Sequence, residues 1–542
     1  VFARITKAKG RRYLQLIEAY RENGKPRQRV VANLGNVEEL ARASGLERIA
    51  DQFLAIAGAR RHRLEELVET DRLVYGHAVY RRLWKKLGLE RLLGEAAGKR
   101  RIRFDLPAAV FLMAMDRLLA PCSKRASHQR QGRYVALPAE VELNHLYRAL
   151  DLLAREKEHL EDMLFEHRRN LFNLRVNVVL YDVTTFHFES VRGDALRDFG
   201  FSKAGKFNEV QVVLGLLADE NGCPIGFDLF PGDTFEGKTL LKALEKLARR
   251  FEIGQVVIAA DAAMNNKNNL LAIESAGYRY VVSAPLRKAE KTLREHALNP
   301  DGYVQLHGEP GETVHYKIIE PRVRKVTDAQ GEKQSLTTRV ICTWSQKRAE
   351  KDRKDRERLI EKARAIEENT SMNDKRGHRR YVRTDGETRA NGLDLERIEA
   401  DAAWDGYHAI ETNDAEFSAQ RLLEIYRQLW RIEQSFRIMK STLETRPIFH
   451  WTPRRIEGHF VLCFLSFLLE RTLEITLHEK NIHASPEAIV RALNSLQVSR
   501  LEIEKTPYYL KGASDPLANK ILRALSMTPI RNLTALQDFR LP

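Results

Sequence analysis

The chain has 542 residues, enough for several domains and a large core, so the parts of one site need not be neighbours in sequence. Ninety Lys and Arg against 74 Asp and Glu leave a net charge of +16, which favours a polyanionic partner. No apolar run reaches the roughly twenty residues of a membrane span. Four widely scattered cysteines with no CxxC pair speak against a zinc ribbon or a disulfide scaffold and fit reduced thiols. The opening VFARITKAKGRRYL has no signal-peptide pattern, so a cytoplasmic protein is expected.

Residues 1–44 are predicted to form an N-terminal β-hairpin module. FARITKAKGRRYLQLIEAYR and RQRVVANLG flank the turn ENGKP, where Asn23-Gly24 is a strong hairpin signal. Two strands alone are marginally stable, so this module must lean on something else. Residues 45–172 read as helical throughout, broken near Gly76, Gly88, Gly98 and Pro121. Basic clusters punctuate them at Arg60-Arg61-His62-Arg63, Lys99-Arg100-Arg101 and Lys124-Arg125. Helices separated by short basic loops suit DNA contact, although a solvated helical surface has the same composition.

From 173 to 289 the texture becomes mixed α/β. LRVNVVLYDVTTFHFES, EVQVVLGLLADENG and CPIGFDLFPGDTF read as three strands, followed by a helix from about Glu236 to Phe251. QVVIAADAAM, NNKNNLLAIESAG and YRYVVSAP continue as strand, helix and strand, a pattern that sets the first and fourth strands side by side. Residues 290–400 read as a β-rich insertion (ETVHYKIIE, LTTRVICTW). A very charged helix from Ser345 to Glu368 follows, and then the basic loop SMNDKRGHRRYVRTDGETRANG, expected to be mobile or to order on DNA. The α/β texture returns over 401–479, where AWDGYHAIETN leads into EIYRQLWRIEQSFRIMK, read as one helix, and then a long buried helix. Residues 480–542 read as helical and moderately polar, and no internal repeat is visible.

The chemistry concentrates on three acidic residues. Asp182 ends the apolar run VVLYD, with Thr184 and Thr185 just beyond, and Asp261 ends VVIAAD. Side chains at the carboxyl ends of adjacent strands converge on one edge of an α/β sheet. Two such aspartates hold divalent metal only if further oxygens complete the shell, and Glu433 is the best third carboxylate. With two ions, one would activate a water or 3′-hydroxyl and the other would stabilise the leaving oxygen. Each residue alone also has an ordinary reading. An Asp after a β-run is often a helix N-cap, as Asp261 before AAMNN would be, and Glu433 fits the solvated edge of a packed helix. Tyr426, Glu433 and Lys440 recur every seven residues and fall near one helical stripe, with Arg437 on the same stripe. His187 and His408 are taken as structural, because hard cations prefer oxygen. No P-loop, nucleophile elbow or Cys–His motif is present.

The order Asp182, Asp261, Glu433 resembles the DDE transposases of bacterial insertion sequences, enzymes similar to ribonuclease H in fold. EIYRQLWRIEQSFRIMK is similar to the Tyr-x2-Arg-x3-Glu-x6-Lys signature of the IS-four-like group, which carries a β-rich insertion between the second Asp and the Glu. Tyr426, Glu433 and Lys440 match in register, but Leu429 stands at the Arg position, and Arg437 is the candidate to replace that contact. The long gap between Asp261 and Glu433 suits the insertion-bearing group. GKPRQRVVANLG, FSKAGKFNEVQVVLGLL, GDTFEGKTL and IEQSFRIMKSTLETRPIFHW also look like it. The resemblance implies an α/β fold: a ribonuclease H-like mixed-sheet catalytic core over 173–289 and 401–479, interrupted by the insertion. An N-terminal β-hairpin, a helical DNA-binding region and a C-terminal helical region would flank it.

The same resemblance implies a catalytic and metal-binding set of Asp182, Asp261 and Glu433 with two Mg²⁺ ions, for which Mn²⁺ substitutes. Tyr426, Arg437 and Lys440 would hold DNA phosphates, Lys203 and Lys206 of FSKAGK would add phosphate contacts, and Trp344 and Trp404 are candidates for base stacking. The implied partners are the transposon-end inverted repeats and target DNA, bound by a homodimer in a synaptic complex in the bacterial nucleoid. The expected function is cleavage and strand transfer, by cut-and-paste; a ribonuclease H-like nuclease without strand transfer would carry the same carboxylates, and a DNA-binding repressor with a vestigial fold is the rival from another class.

Overall fold

The computed structural model describes residues 1–42, 44–57, 68–137, 140–172, 178–189, 192–200, 208–235, 238–250, 257–306, 313–327, 331–366, 370–371, 376–385, 389–445, 448–503 and 506–541. It is a mixed α/β structure in two compact units. One takes Val1–Arg72, Ser499–Lys511 and Arg531–Phe539; the other takes Leu73–Val498, Gly512–Ile530 and Arg540–Pro542.

The chain opens with three antiparallel strands rather than two: β1 (Phe2–Ala8), β2 (Arg11–Glu22) and β3 (Lys25–Asn36). Asn23-Gly24 makes the predicted turn at φ 49° and 77°. A second left-handed pair, Lys9-Gly10, splits the first run, a turn that the lysine disguises. Helices α1 (Val37–Arg42) and α2 (Gly45–Ile56) follow, and among the described residues of 1–57 only Ile17 is buried. Strand β4 (Val68–Val74) then interrupts the stretch predicted to be helical throughout.

Five helices lead into the core: α3 (His77–Lys86), α4 (Leu89–Lys99), α5 (Leu106–Leu119), α6 (Lys124–Arg130) and α7 (Leu143–Phe172). α5 is buried over nearly its whole length and starts at Asp105, whose carboxylate accepts from Ala108 N at 2.9 Å. Strands β5 (Val178–His187), β6 (Gln211–Asp219) and β7 (Pro224–Pro231) form an antiparallel meander. After α8 (Leu240–Arg250), strand β8 (Val257–Ala260) pairs parallel with β5, as the pattern predicted. After α9 (Lys267–Ser275), strand β9 (Arg279–Ser283) pairs parallel with β8.

The insertion is continuous with this sheet. α10 (Lys291–Leu298) precedes β10 (Val304–Leu306), β11 (Val314–Thr327) and β12 (Lys333–Ser345). The charged helix is α11 (Gln346–Arg364). β13 (Val382–Asp385) and β14 (Arg389–Leu393) make a separate hairpin before α12 (Leu395–Ala402) and β15 (Tyr407–Thr412). β15 pairs with both β9 and β12, giving one nine-stranded sheet in the order β10-β11-β12-β15-β9-β8-β5-β6-β7.

The helix read as continuous through Glu433 is instead two, α13 (Ala419–Arg427) and α14 (Leu429–Arg437), joined at Gln428. α14 passes into a π-helical turn over Ile438–Thr442. α15 (Pro453–His478) is the long buried helix, capped by Thr452. Gly458 lets it cross α7 closely, since a Cβ there would lie 2.0 Å from the Leu150 carbonyl oxygen. α16 (Pro486–Asn494) and α17 (Pro516–Ala524) alternate with β16 (Gln497–Ile503), β17 (Thr506–Lys511) and β18 (Leu533–Ala535). The tail predicted as helical therefore holds three strands, which join β4 in the order β18-β17-β16-β4. Their partner lies more than four hundred residues away in sequence, so no local pattern announces the pairing. Among the described residues no single helix is long and apolar enough to cross a membrane.

Candidate functional site

β5 and β8 run parallel and in register up to the pair Tyr181–Ala260, so Asp182 and Asp261 come at the next step on neighbouring strands. Both carboxylates are oriented locally. Asp182 accepts from Val183 N at 2.7 Å, and Asp261 caps the turn Ala262–Met264 by accepting from Ala263 N at 2.9 Å. The capping role expected for a lone Asp is thus present, and it aims the side chain at a cleft rather than away from it. Glu433 comes from α14, which packs on β5 through a face that buries Ile432, Ser435 and Phe436.

The three carboxylates line one cleft of about 460 Å³. Tyr426, Arg427 and Trp430 line it from the two helices, and Arg348 and Ser345 from the start of α11. His408 and Thr343 contribute from the paired strands β15 and β12. Burial is the main cause that raises the Tyr426 hydroxyl above its usual pKa. The negative charges of Asp261 and Glu433 push the same way, while a hydrogen bond with Ser283 and the charge of Arg348 oppose it. The His408 ring lies 5.2 Å from that of Tyr426, and its Nε2 is 3.4 Å from Ser283 Oγ. Burial first, and then Arg348, bring His408 down to about 4, so it stays neutral at ordinary pH.

Lys440, in the π-helical turn, donates through Nζ to the Thr184 hydroxyl and sits 5.4 Å over the Phe186 ring. Thr184 lies two residues after Asp182 and so on the same face of β5, but neither Thr184 nor Lys440 lines the cleft. Arg437 is exposed and does not line the cleft; its charge acts on Glu487 of α16. The expected stripe therefore holds for Tyr426 and Glu433 but carries Arg437 past the end of the cleft.

Trp344 donates Nε1 to the Asp405 carbonyl at 3.2 Å, and Trp404 packs edge-on to Tyr407 beside the cluster of Val340 and Cys342. Neither lines the cleft. Trp430 does, and it is 56% exposed. Lys203 and Lys206 lie outside the described residues. Arg348, Arg427 and Trp430 are cleft residues that the sequence reading missed, and His408, taken there as structural, also lines the cleft. Arg348 had a faint signal in the N-cap pattern Ser345-x-x-Arg348, but only the β12–β15 pairing brings that helix start to Asp261.

A family model described as a transposase DDE domain matches residues 176–469, more than half of the chain, and includes all three carboxylates. A second, described as the N-terminal domain of IS1634 family transposases, matches residues 3–60. The chain belongs to the DDE transposases of insertion sequences. No curated protein matches it. Among solved structures it is similar to one titled Mos1 transposase paired-end complex with left transposon end. That match has 13% identity and a TM-score of 0.15, over 32% of this chain and 57% of the other, so the chain spans little more than half the length of that relative.

Proposed function

We propose that the protein is a DNA transposase that binds the terminal inverted repeats of its own element, cuts at the ends and joins the freed 3′-hydroxyls to target DNA. The observation that carries this reading is the meeting of Asp182, Asp261 and Glu433 in one cleft. The strand order β7-β6-β5-β8-β9, with β5 and β8 parallel, supports a ribonuclease H-like core. Tyr426, Glu433 and Lys440 support placement in the IS-four-like group with the YREK-type signature, Leu429 being the departure.

The donor set fits a hard divalent cation: carboxylates and hydroxyls, with a neutral histidine and no thiolate at the cleft. Among the described residues no three His, Cys, Asp or Glu side chains already stand at joint ligating distance. Asp182, Asp261 and Glu433 would hold two Mg²⁺ ions, or Mn²⁺ in their place, which supply an activated oxygen nucleophile and neutralise the leaving oxygen. Lys440, hydrogen-bonded to Thr184 two residues on from Asp182, would hold a phosphate as a point charge. Arg348 and Arg427 supply the cations on the cleft wall that were assigned to Arg437, and their guanidinium forks suit phosphate. Trp430 offers the exposed ring for stacking that neither Trp344 nor Trp404 presents. Lys203 and Lys206 remain proposed phosphate contacts. Two ends must be held together for cut-and-paste transposition, so a homodimer on DNA, in the nucleoid, completes the reading.

The test uses DNA flanking the reading frame that carries matching inverted repeats. The protein should cut the repeat ends in Mg²⁺ and join them to a target duplex. Asp182→Asn should lower cleavage by about three orders of magnitude while end binding persists. Cut but never joined strands would favour a nuclease without strand transfer. Binding without cutting in either Mg²⁺ or Mn²⁺ would favour a repressor with a vestigial catalytic fold.

A further inference from the structure

Asp261 owes its direction to a single tight turn, and residues far along the chain tie that turn down. Asn265 closes the turn that Asp261 begins. Its side-chain amide donates to the Ser283 carbonyl at 2.9 Å and to Glu411 Oε2 at 3.2 Å, and its oxygen accepts from Arg324 at 2.8 Å. Glu411, fully buried on β15, also accepts from Arg322 at 2.9 Å, Arg324 at 3.1 Å and the Thr338 hydroxyl at 2.8 Å. Arg322 and Arg324 belong to β11 and Thr338 to β12, in the distal half of the insertion hairpin.

That half is set apart by a bulge. Ile319 faces Val340 but Arg322 faces Thr338, so β11 advances three residues while β12 advances two. Past the bulge, Arg322, Arg324 and Val326 alternate onto one face. The two arginines reach Glu411, and Val326 joins Leu336 in the buried cluster that contains Ile258, Ala260 and Met264 beside the turn.

We propose that the distal half of the hairpin is a strap that positions Asp261, with Asn265 as the positioning residue through which it acts. This rests on reading Asp261 as a metal ligand. Arg324 Nη1 donates to both the Glu411 carboxylate and the Asn265 oxygen, so one nitrogen held by a buried carboxylate fixes which way the amide points. With both ends of the amide engaged, the turn has one orientation, and ligating groups work only when held within about 0.5 Å of the productive geometry. The insertion, remote in sequence from Asp261, thereby becomes part of what makes the carboxylate competent.

The test measures hydrogen exchange and Mn²⁺ affinity on the full chain without DNA. Asn265→Ala should make peptides over 257–270 exchange about tenfold faster and bind Mn²⁺ about tenfold more weakly, the scale of a lost outer-shell partner, while peptides over 178–187 exchange as before. Arg324→Met leaves Arg322 to neutralise Glu411 and should shift both readouts in the same direction by less. It also stands in should Asn265→Ala fail to fold. Unchanged exchange around the turn in the folded variants overturns the proposal, and so does faster exchange with undiminished Mn²⁺ affinity. A wild-type protein that takes no Mn²⁺ sinks the metal reading itself, and the exchange arm then shows separately whether the hairpin holds the turn.

Discussion

Arg348 shows how a residue with no recognisable motif acquires a place in the cleft that holds the three carboxylates. It sits in the first turn of α11, capped by Ser345, and β12 ends where that helix begins. Because β12 pairs with β15, the helix start faces the cleft, and the positive charge is felt by both His408 and Tyr426. Its ion partner Asp352, one turn on at 3.6 Å, is a half-exposed pair of small energetic weight, so the guanidinium can turn to a phosphate at little cost. Arg348→Ala should weaken DNA binding across sequences and reduce the slope of log affinity against log salt by about 0.9, as expected for one lost phosphate contact. An unchanged slope in a salt titration would remove Arg348 from the DNA-binding set.

Among the elements, α15 is held at a close crossing. It is buried along most of its length, and it meets α7 at a point where Gly458 touches the Leu150 backbone. A methyl group there would meet a carbonyl oxygen that cannot swing aside as a side chain can. Gly458→Ala should therefore destabilise the protein by at least about 1–3 kcal/mol through overpacking, read as a lower thermal midpoint. A midpoint equal to wild type would mean that the crossing is looser than the geometry indicates. The helix also shows what its sequence could and could not give. FVLCFLSFLL announced burial and length, but nothing in it named α7 as the neighbour, because a helix that is apolar all round has no face to aim.

Across the whole molecule, buried histidines set the response to acid. His77 is brought down to about 4, first by burial and then by Arg81, and its ring packs 5.3 Å from Tyr134. Burial also brings His450 to about 4, with Lys124 and Arg455 adding to the effect. A histidine whose folded pKa lies below its unfolded value gives full stability above pH 6.5 and loses it as pH falls toward 4. For His77 alone the loss amounts to ~3 kcal/mol over that window. Glu470 acts in the other direction. Burial pushes it up to about 8, so its contribution is complete below pH 4.5 and fades as pH rises through 8. Denaturant midpoints should thus fall from pH 6.5 toward 4, less steeply in His77→Phe, and Glu470→Gln should remove the loss of stability that accrues between pH 4.5 and 8. Parallel curves for His77→Phe and wild type would show that this ring does not titrate on unfolding.

The primary structure by itself determined the three carboxylates, the strand runs that present two of them and the long insertion before the third. Those features are local: VVLYD and VVIAAD are apolar runs ending in an acid, and Glu433 stands in register with Tyr426 and Lys440. Only the tertiary structure decided that the insertion's strands extend the core sheet, that Arg348 rather than Arg437 reaches the cleft, and that the C-terminal tail pairs with β4. Each of these depends on strand pairing between distant segments, and the choice of partner is made by burial and backbone hydrogen bonding summed over the whole sheet, which no window of sequence contains.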